Sequence, residues 1–366
     1  MTRVIYHHPL PLDMDGASGS SIRPMRMLKA LESEAEVWTV TGTSTERAAR
    51  IKEVTNAMRR GVTFDLVYSE SSTLPTSLTD DDRIPRHPFL EPAFFKECQR
   101  NGVPVGLFYR DVYWRFPGFA EKQSRLRRML AKAAFHYDLL WYSRAVDLLY
   151  LPSLPMLEHV PVSSRLRAKA LPPGTVIRET ATPSTDGALE VLYVGGMSDM
   201  YDLRLFVEAL GQVDGLRLTV CTRADEWEAV KDQYLPLMGN NTRIVHQSGA
   251  ELTETMKRSH LATVCVEPKL YRSFAAPVKL FDGVGMGIAV VASNGTHAAN
   301  LVSEFDLGWR VDYTVEEMRA LFTHLATHRD EVATAHERVL ASREEHTWEA
   351  RARQVIRDLA GQRHRS

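Results

Sequence analysis

The sequence contains little cysteine, which argues against a disulfide-stabilised scaffold and against a cysteine-based metal site. Its 366 residues include three cysteines, Cys98, Cys221 and Cys265. Cys221 and Cys265 lie in apolar runs, where a free thiol behaves as a small hydrophobic side chain. There is no CxxC pair to suggest a metal site, and three cysteines cannot build a disulfide framework. Because the 13 histidines are also scattered, we expect no metal centre and a reducing, cytoplasmic environment.

The sequence also lacks an excess of charge and long apolar runs. Formal net charge is -1, from 45 basic and 46 acidic residues, so no global field favours nucleic acid as a partner. The longest apolar runs are too short for a membrane-spanning helix. The first residues lead directly into a strand-like run, and we expect no signal peptide.

Short β-branched or aromatic runs alternate with longer segments of helical period. In the first half these runs are Val4–His7, Val37–Thr41, Phe64–Ser69, Val105–Arg110, Leu139–Tyr142 and Leu148–Leu151. In the second half they are Val191–Gly195, Leu216–Cys221, Arg243–Gln247, Ala262–Val266, Ala289–Ser293 and Gly308–Val311. Continuous apolar runs are typical of strands that are covered on both faces. The pattern predicts an α/β protein with two Rossmann-like, doubly wound parallel-sheet domains that face a cleft.

The predicted domains are similar in size. A linker rich in Pro, Thr, Ser and Asp follows Leu171-Pro172-Pro173-Gly174 and indicates the connection between them. We predict an N-terminal domain at 1–180 and a C-terminal domain at 186–345. Residues 346–366 are predicted to form a further helix. Residues 70–92 are predicted to form a long loop.

A glycine- and serine-rich turn follows the first predicted strand. It includes Asp13, Gly16, Ser18 and Gly19 and leads into a helix over Met25–Leu31. Such a turn lets backbone N–H groups approach an anion at a helix N-terminus. An ordinary capped turn is the alternative, because the segment has neither a GxGxxG fingerprint nor a Walker lysine.

The most informative segment lies at 271–293. Pro277 is suited to the start of a helix, Lys279 and Asp282 are neighbours on one helical face, and Gly287 ends the helix before a strand. A cation near a helix N-terminus suits a diphosphate, and a carboxylate one turn later suits ribose hydroxyls. The alternative is an amphipathic unit with a surface Lys–Asp pair.

This segment resembles the nucleotide-binding motif of GT-B glycosyltransferases of the family-4, or group 1, type. Pro277, Lys279, Asp282, Gly287 and Val290-Val291 match a P-x-K-x-x-E-x-x-x-x-G-x-P-V-V pattern in order. Gly195 and Gly196 are similar to the glycine turn that opens the family's C-terminal domain. Gln247 lies in a stretch similar to the one that flanks the base. His346-Thr347-Trp348 is similar to the family's hydroxyl-Trp before the last helix.

The resemblance implies that the domain at 1–180 binds the acceptor, that the domain at 186–345 binds the donor, and that the helix at 346–366 crosses back to the first domain. The sequence also shows departures from the family, although the resemblance still indicates a donor site. The resemblance implies that the donor is bound by Gly16, Ser18, Gly19, Gly195, Gly196, Arg223, Gln247, Arg272, Ser273, Phe274, Ala275, Lys279 and Asp282. Phe274 stands at the first glutamate position of the family's E-x7-E motif, and Asp282 stands at the second. The family's Arg and Lys pair after the glycine turn is missing from 197–202. Lys279, followed by Arg272 and Arg223, is therefore the candidate partner of the diphosphate.

The acceptor side is indicated by a polar segment after the fourth strand-like run. The resemblance implies that Asp111 faces the acceptor, as a general base or a positioning carboxylate. A loop or capping aspartate is the alternative. Asp13 is the second catalytic candidate, with Asp15 beside it. His7 and His8 are less favoured, because histidines that end strands are more often structural.

A basic amphipathic stretch at 121–137 follows two exposed aromatics, Phe116 and Phe119. A helix of this kind can lie on an anionic bilayer. The alternative is a surface helix that covers the sheet. The stretch 116–135 therefore predicts a possible peripheral contact with the inner face of the cell membrane.

Together these patterns predict a metal-independent glycosyltransferase of the hexosyltransferase type, without cofactors. Its donor would be a UDP- or GDP-linked sugar, and its acceptor a sugar or lipid-linked molecule in polysaccharide or glycolipid biosynthesis. One alternative is a nucleotide-sugar epimerase of the same fold. Another is a non-catalytic partner of an active glycosyltransferase, which the departures from the E-x7-E motif suggest.

Overall fold

The computed structural model describes residues 1–12, 19–116, 119, 123–198 and 201–360. Within them the chain forms two compact units. The first unit comprises Met1–Pro173 and the C-terminal segment from Trp348, and the second comprises Gly174–Thr347.

The first unit contains a six-stranded sheet in which every neighbouring pair is parallel. Its strands are β1 (Arg3–His7), β2 (Glu36–Val40), β3 (Leu66–Glu70), β4 (Val105–Phe108), β5 (Leu148–Leu151) and β6 (Arg167–Ala170). The helices between them are α1 (Gly19–Glu34), α2 (Ser44–Arg59), α3 (Leu90–Arg100) and α4 (Arg125–Ala145). The strand order is β2-β1-β3-β4-β5-β6, so the topological switch point, where ligands bind in open α/β sheets, lies between β1 and β3.

The second unit contains another six-stranded parallel sheet. Its strands are β7 (Leu189–Val194), β8 (Leu216–Cys221), β9 (Thr242–Val245), β10 (Leu261–Val264), β11 (Ala289–Ser293) and β12 (Gly308–Val311). Its helices are α5 (Arg204–Leu210), α6 (Ala224–Tyr234), α7 (Gly249–Lys257), α8 (Val278–Val284), α9 (His297–Glu304), α10 (Val315–Thr327) and α11 (Arg329–Ser342). The order β12-β11-β10-β7-β8-β9 places the switch point between β7 and β10.

The central strands of both sheets are buried on both faces. All residues of β3, β4, β5 and β11 are buried, which explains why their sequences are continuous apolar runs. These two doubly wound sheets confirm the predicted fold class. None of the described helices is long and apolar enough to cross a membrane.

The last helix, α12 (Trp348–Ala360), packs on α1 and completes the core of the first unit. Its buried side chains Trp348, Val355 and Leu359 join a cluster that also contains Val4 and Tyr6 of β1. Because this helix follows the second unit in the chain, the polypeptide crosses between the units twice.

The units divide earlier than the boundary that we predicted from the sequence. The predicted linker, Glu179–Gly187, belongs to the second unit, because the backbone preceding β7 is hydrogen bonded to that unit. The N–H of Thr175 donates to the carbonyl of His346, and the N–H of Ala181 donates to that of Met286. The division therefore falls between Pro173 and Gly174.

Two other expectations about strands were wrong. Leu139–Tyr142 is helical and lies in α4, where Leu139, Trp141 and Tyr142 belong to a buried helical face that also includes Phe135 and Ala145. Strand β6 was missed, since Arg-Ala-Lys-Ala at the edge of the sheet has no apolar signal. Helices α10 and α11 precede α12 and are separated by a break at His328.

Candidate functional site

The glycine turn after β7 lies against the side chain of Lys279. A Cβ atom added to Gly195 would lie 2.8 Å from the Lys279 Nζ and 2.9 Å from the Tyr193 hydroxyl. A Cβ atom on Gly196 would lie 2.8 Å from Oε2 of Glu226. A side chain at Gly195 would therefore displace the Lys279 ammonium from its present position, and one at Gly196 would displace the Glu226 carboxylate.

Lys279 lies in the first turn of α8, whose N-cap is Pro277. Its Nζ donates a hydrogen bond of 3.0 Å to the Tyr193 hydroxyl, which in turn donates to the carbonyl of Gly196. The same Nζ lies 4.3 Å from the centre of the Tyr193 ring and 5.2 Å from that of Tyr201. Two aromatic rings thus hold the ammonium group through cation–π attraction.

No carboxylate of the described residues forms an ion pair with Lys279 within 4.0 Å. Burial, and then the positive charge of Arg272, lower the pKa of the Lys279 ammonium to about 7. An anion bound beside it would relieve this repulsion and restore the charged form. The group is therefore suited to bind a ligand that brings negative charge.

Arg272 supplies a second positive charge at this place. One of its amino groups donates to the carbonyl of Glu267, while the buried Nη2 has no hydrogen-bond partner. Its guanidinium carbon lies 5.6 Å from the centre of the Tyr201 ring. The unsatisfied N–H groups are donors that a phosphate oxygen could accept from.

Arg272 and Lys279 line a cavity of about 240 Å³ at the carboxyl end of β10. Its other walls include Val264, Tyr201, Ala275 and Thr296. Complete small-molecule sites are usually larger, about 300–1,000 Å³. The cavity therefore matches one part of a nucleotide sugar, and its two cations favour the diphosphate.

A second cavity of about 620 Å³ lies next to the first. It is lined by Asp202, Arg204, Leu205, Glu267, Pro268 and Tyr313. Glu267 connects the two, because its carbonyl accepts the hydrogen bond of Arg272. This space could hold a further part of the same ligand.

The remaining predicted donor residues vary in their distance from this cavity. Of the described residues in the 273–282 stretch, the lining includes Ala275, Ala276, Pro277 and Lys279, but not Ser273, Phe274 or Asp282. Phe274 is buried and packs edge-on against Tyr271. Asp282 is half-buried on α8, one turn after Lys279.

Arg223 and Gln247 are engaged elsewhere in the second unit. Arg223 is exposed, stands at the N-cap of α6 and pairs with Glu226. The amide oxygen of Gln247 accepts a hydrogen bond of 2.6 Å from Thr255. Neither residue lines the cavity with Lys279 in the described part of the chain.

In the first unit, Asp111 follows β4, as predicted. One of its carboxylate oxygens accepts a 2.6 Å hydrogen bond from the N–H of Tyr113, at the start of a short helical turn. This is the capping contact of the alternative interpretation, and it leaves the acceptor role as a prediction. Asp13, Asp15, Gly16 and Ser18 lie outside the described residues, and α1 begins at Gly19.

Sequence reasoning missed the two tyrosines of the donor cavity. Tyr193 ends a buried strand and Tyr201 lies within a polar stretch, so neither had a signal beyond its aromatic type. Their role depends on the approach of α8 to β7 in the folded chain. Among the described residues, no group of three or more His, Cys, Asp or Glu could hold a metal ion.

A comparison with protein families finds a match in the part of the chain that contains this cavity. Residues 201–357 match the family model described as glycosyl transferase-like. This stretch contains Tyr201, Arg272 and Lys279. No protein with a curated functional description matches the sequence.

Solved structures resemble the chain over almost its whole length. Sucrose-phosphate synthase from Thermosynechococcus elongatus is 14% identical, with a TM-score of 0.63 and coverage of 100% of both chains. HepE from Anabaena in complex with UDP-glucose is 12% identical, with a TM-score of 0.61 over 99% of this chain and 100% of that one. WaaG, a glycosyltransferase involved in lipopolysaccharide biosynthesis, is 14% identical, with a TM-score of 0.57 over 98% and 100%.

The structural similarity over both units establishes the fold. The family match covers most of the second unit and most of α12. Together they confirm the resemblance predicted from the Lys279 segment. The chain has the GT-B fold of these structures, and its residues 201–357 are glycosyl transferase-like.

Proposed function

We propose that the protein transfers a hexosyl group from a UDP- or GDP-linked sugar to an acceptor hydroxyl. The observation that carries this proposal is the cavity at the carboxyl end of β10, which Arg272 and Lys279 line. Two cations in a lining that has no carboxylate among the described residues favour a diphosphate. A ligand at the switch point of a doubly wound sheet is also the general rule.

The chemistry follows from where negative charge develops. When the sugar leaves, its bond to the diphosphate breaks and the electron pair stays on the phosphate oxygen. Arg272 and the Lys279 ammonium, held by Tyr193, stabilise that charge from fixed positions. These side chains would take the place of the metal ion in neutralising the diphosphate, as the prediction of a metal-independent enzyme requires.

The nature of the donor and the pathway is part of the proposal. HepE, one of the similar structures, contains UDP-glucose. WaaG is named as acting in lipopolysaccharide biosynthesis. From these similarities we propose a UDP-linked hexose as the first donor to test. We propose a polysaccharide or glycolipid intermediate as the class of acceptor. Asp111 is proposed to deprotonate or orient the acceptor hydroxyl, with Asp13 as the second candidate.

The protein is further proposed to work at the inner face of the cell membrane. The first turns of α4 carry Leu126, Met129 and Leu130, which are 62%, 61% and 56% exposed. Arg125, Arg127, Arg128 and Lys132 lie beside them. The one acidic residue of this helix, Asp138, is buried, so its exposed surface carries no carboxylate. This composition suits an anionic bilayer.

Vesicle binding tests the membrane contact. We expect the protein to sediment with vesicles that contain phosphatidylglycerol and not with pure phosphatidylcholine vesicles. Leu126→Glu with Met129→Glu should abolish this binding, while Leu235→Glu, at another exposed apolar position, should leave it unchanged. Equal binding by both variants would contradict a contact through α4.

Nucleotide binding tests the donor site. UDP, GDP, ADP and dTDP are compared by thermal shift and calorimetry. A ligand at a hundred times its Kd should stabilise the fold by about 2.7 kcal/mol. Lys279→Ala is expected to weaken the preferred nucleotide about tenfold or more, while Lys231→Ala, which removes an exposed lysine of α6, should not.

The outcomes separate the proposal from its alternatives. If no nucleotide binds, the transferase proposal fails and a non-catalytic partner of another glycosyltransferase becomes the better explanation. If a nucleotide sugar binds and is converted without any acceptor to an isomeric nucleotide sugar, the protein is an epimerase.

A further inference from the structure

The first unit contains a buried group of arginines, which we call the Arg23 cluster. It consists of Arg23 on α1, Arg110 just after β4 and Arg351 on α12, with Glu70 at the end of β3. Arg23 is 4% exposed, Glu70 is 0% exposed and Arg351 is 8% exposed. Arg23 contacts the Glu70 carboxylate directly, and the charges of Arg110 and Arg351 interact with that of Arg23.

Glu70 satisfies only part of this positive charge. Its Oε1 accepts from Nε of Arg23 at 3.2 Å and from the Tyr68 hydroxyl at 2.7 Å. The two terminal amino groups of Arg23 are buried and have no hydrogen-bond partner. A buried donor without a partner is costly, and more so when it is charged. The Arg23 fork is therefore held in a position that leaves four N–H donors unused.

Aromatic packing, together with the bond from Nε to Glu70, fixes the orientation of the Arg23 guanidinium. The guanidinium carbon of Arg23 lies 3.5 Å from the centre of the Phe108 ring and 5.6 Å from that of Trp348. Stacking on an aromatic face leaves the edge of the guanidinium free to meet a ligand. Such a preorganised fork matches two oxygens of a phosphate or carboxylate.

The other two arginines add charge at the same place. Burial, and then the charge of Arg23, lower the pKa of Arg351 to about 10. Burial also lowers the pKa of Arg110, with Glu70 opposing and Arg23 reinforcing the effect. Asp111 adjoins Arg110 at the edge of the cluster. The positive groups therefore repel one another across a site that an anion would neutralise.

The cluster also occupies the expected position for a ligand. Glu70 ends β3, Arg110 follows β4 and α1 follows β1, so all three lie at the carboxyl edge of the sheet near its switch point. It is built entirely from residues of the first unit, whereas the lining of the cavity with Lys279 comes from the second.

We propose that the Arg23 cluster binds an oxyanion, a phosphate or carboxylate, that the acceptor carries. The identification of the ligand as the acceptor rests on the proposed transferase function. The binding of an oxyanion by the Arg23 cluster does not. The acceptor would then be an anionic molecule, such as a phosphorylated sugar or a uronic acid, rather than a neutral one.

The test uses inorganic phosphate as the probe, with chloride at equal ionic strength as the reference. Phosphate is expected to raise the melting temperature of the wild type, and to keep a clear effect in Lys279→Ala, which removes the phosphate contact of the donor cavity. Arg23→Lys, which keeps the charge but loses the fork, should bind phosphate about tenfold more weakly. Arg110→Gln, at a less buried position, provides a second variant if Arg23→Lys fails to fold.

The alternative source of the oxyanion is the donor diphosphate, and the same proteins distinguish it. If phosphate binding is lost in Lys279→Ala and kept in Arg23→Lys or Arg110→Gln, phosphate occupies the donor cavity and the inference is overturned. If Arg23→Lys or Arg110→Gln weakens UDP as much as phosphate, the cluster serves the donor and the assignment to the acceptor is wrong. Absence of any phosphate effect in the wild type also overturns it.

Failure of the proposed function would give a different pattern. In that case the wild type would bind no nucleotide, while phosphate would still bind through Arg23. The two conclusions can therefore fail independently of each other.

Discussion

The Nζ of Lys279 lies 3.0 Å from the Tyr193 hydroxyl and 4.3 Å from the centre of its ring. This contact joins Lys279 of α8 to the C-terminal end of strand β7, at the switch point of the second sheet. Burial and Arg272 together lower the pKa of this lysine to about 7. Its charge at neutral pH consequently depends on what occupies the cavity.

Nucleotide affinity should therefore decrease as pH rises above about 7. Lys279 loses its proton in the empty protein over this range, and a bound diphosphate favours the protonated form, so binding takes up a proton. Calorimetry of UDP binding at pH 6.5, 7.5 and 8.5 measures the effect. Lys279→Arg should remove most of the pH dependence, because arginine stays charged. A wild-type affinity that is constant over this range would contradict the assignment.

Asp111 should affect transfer and not donor binding. A general base contributes about 10²–10⁴-fold to the rate, so Asp111→Asn should lower kcat by at least about a hundredfold with little change in UDP affinity. Asn keeps a side-chain oxygen that can accept from the N–H of Tyr113, which preserves the local turn. If Asp111→Asn is fully active, Asp111 is only a capping residue.

The stability of the first unit should depend on α12. Leu359 is 0% exposed, and its methyl groups pack against Gly106 of β4 and leave no room for a Cβ there. Leu359→Ala should reduce the free energy of unfolding by about 2–5 kcal/mol. Glu349→Ala, on the exposed side of the same helix, should change it by less than about 0.5 kcal/mol. Equal effects in denaturant titrations would show that α12 is not part of this core.

Asp138 should make the protein less stable as pH rises towards neutrality. Its carboxyl group accepts hydrogen bonds from the N–H of Thr76 and from Nε1 of Trp141, yet burial raises its pKa to about 7. Between pH 5 and 7 the folded state holds a proton that the unfolded state, with a pKa of about 3.9, has lost. The resulting stabilisation is complete below pH 4 and disappears as pH rises through about 7.

Asp138→Asn should remove this dependence, so the difference in unfolding free energy between wild type and variant should shrink from pH 5 to pH 7. Asp82→Asn is the control. Asp82 is exposed and its pKa is lowered to about 2 by Arg86, so both of its states are ionised throughout this range. A difference for Asp138→Asn that stays constant with pH would mean that its carboxyl group is ionised throughout.

The sequence by itself determined the fold class and the segment that carries Lys279 of the candidate donor site. Eleven of the twelve predicted strand runs coincide with strands of the two sheets, because buried parallel strands are continuous apolar runs that local composition reveals. The ordered spacing of Pro277, Lys279 and Gly287 likewise indicated the αβ unit that contains Lys279. These signals depend on neighbours in the chain, and the sequence contains them directly.

Tertiary structure decided the rest. Leu139–Tyr142 has the composition of a strand, but packing on the sheet made it one face of α4. Edge strand β6 had no apolar signal, since it is covered less than the central strands. Tyr193 and Lys279 are 86 residues apart, and Arg23, Glu70, Arg110 and Arg351 come from four separate elements. Their proximity comes from the order of parallel strands and the return of α12, and this long-range arrangement leaves no local pattern in the sequence.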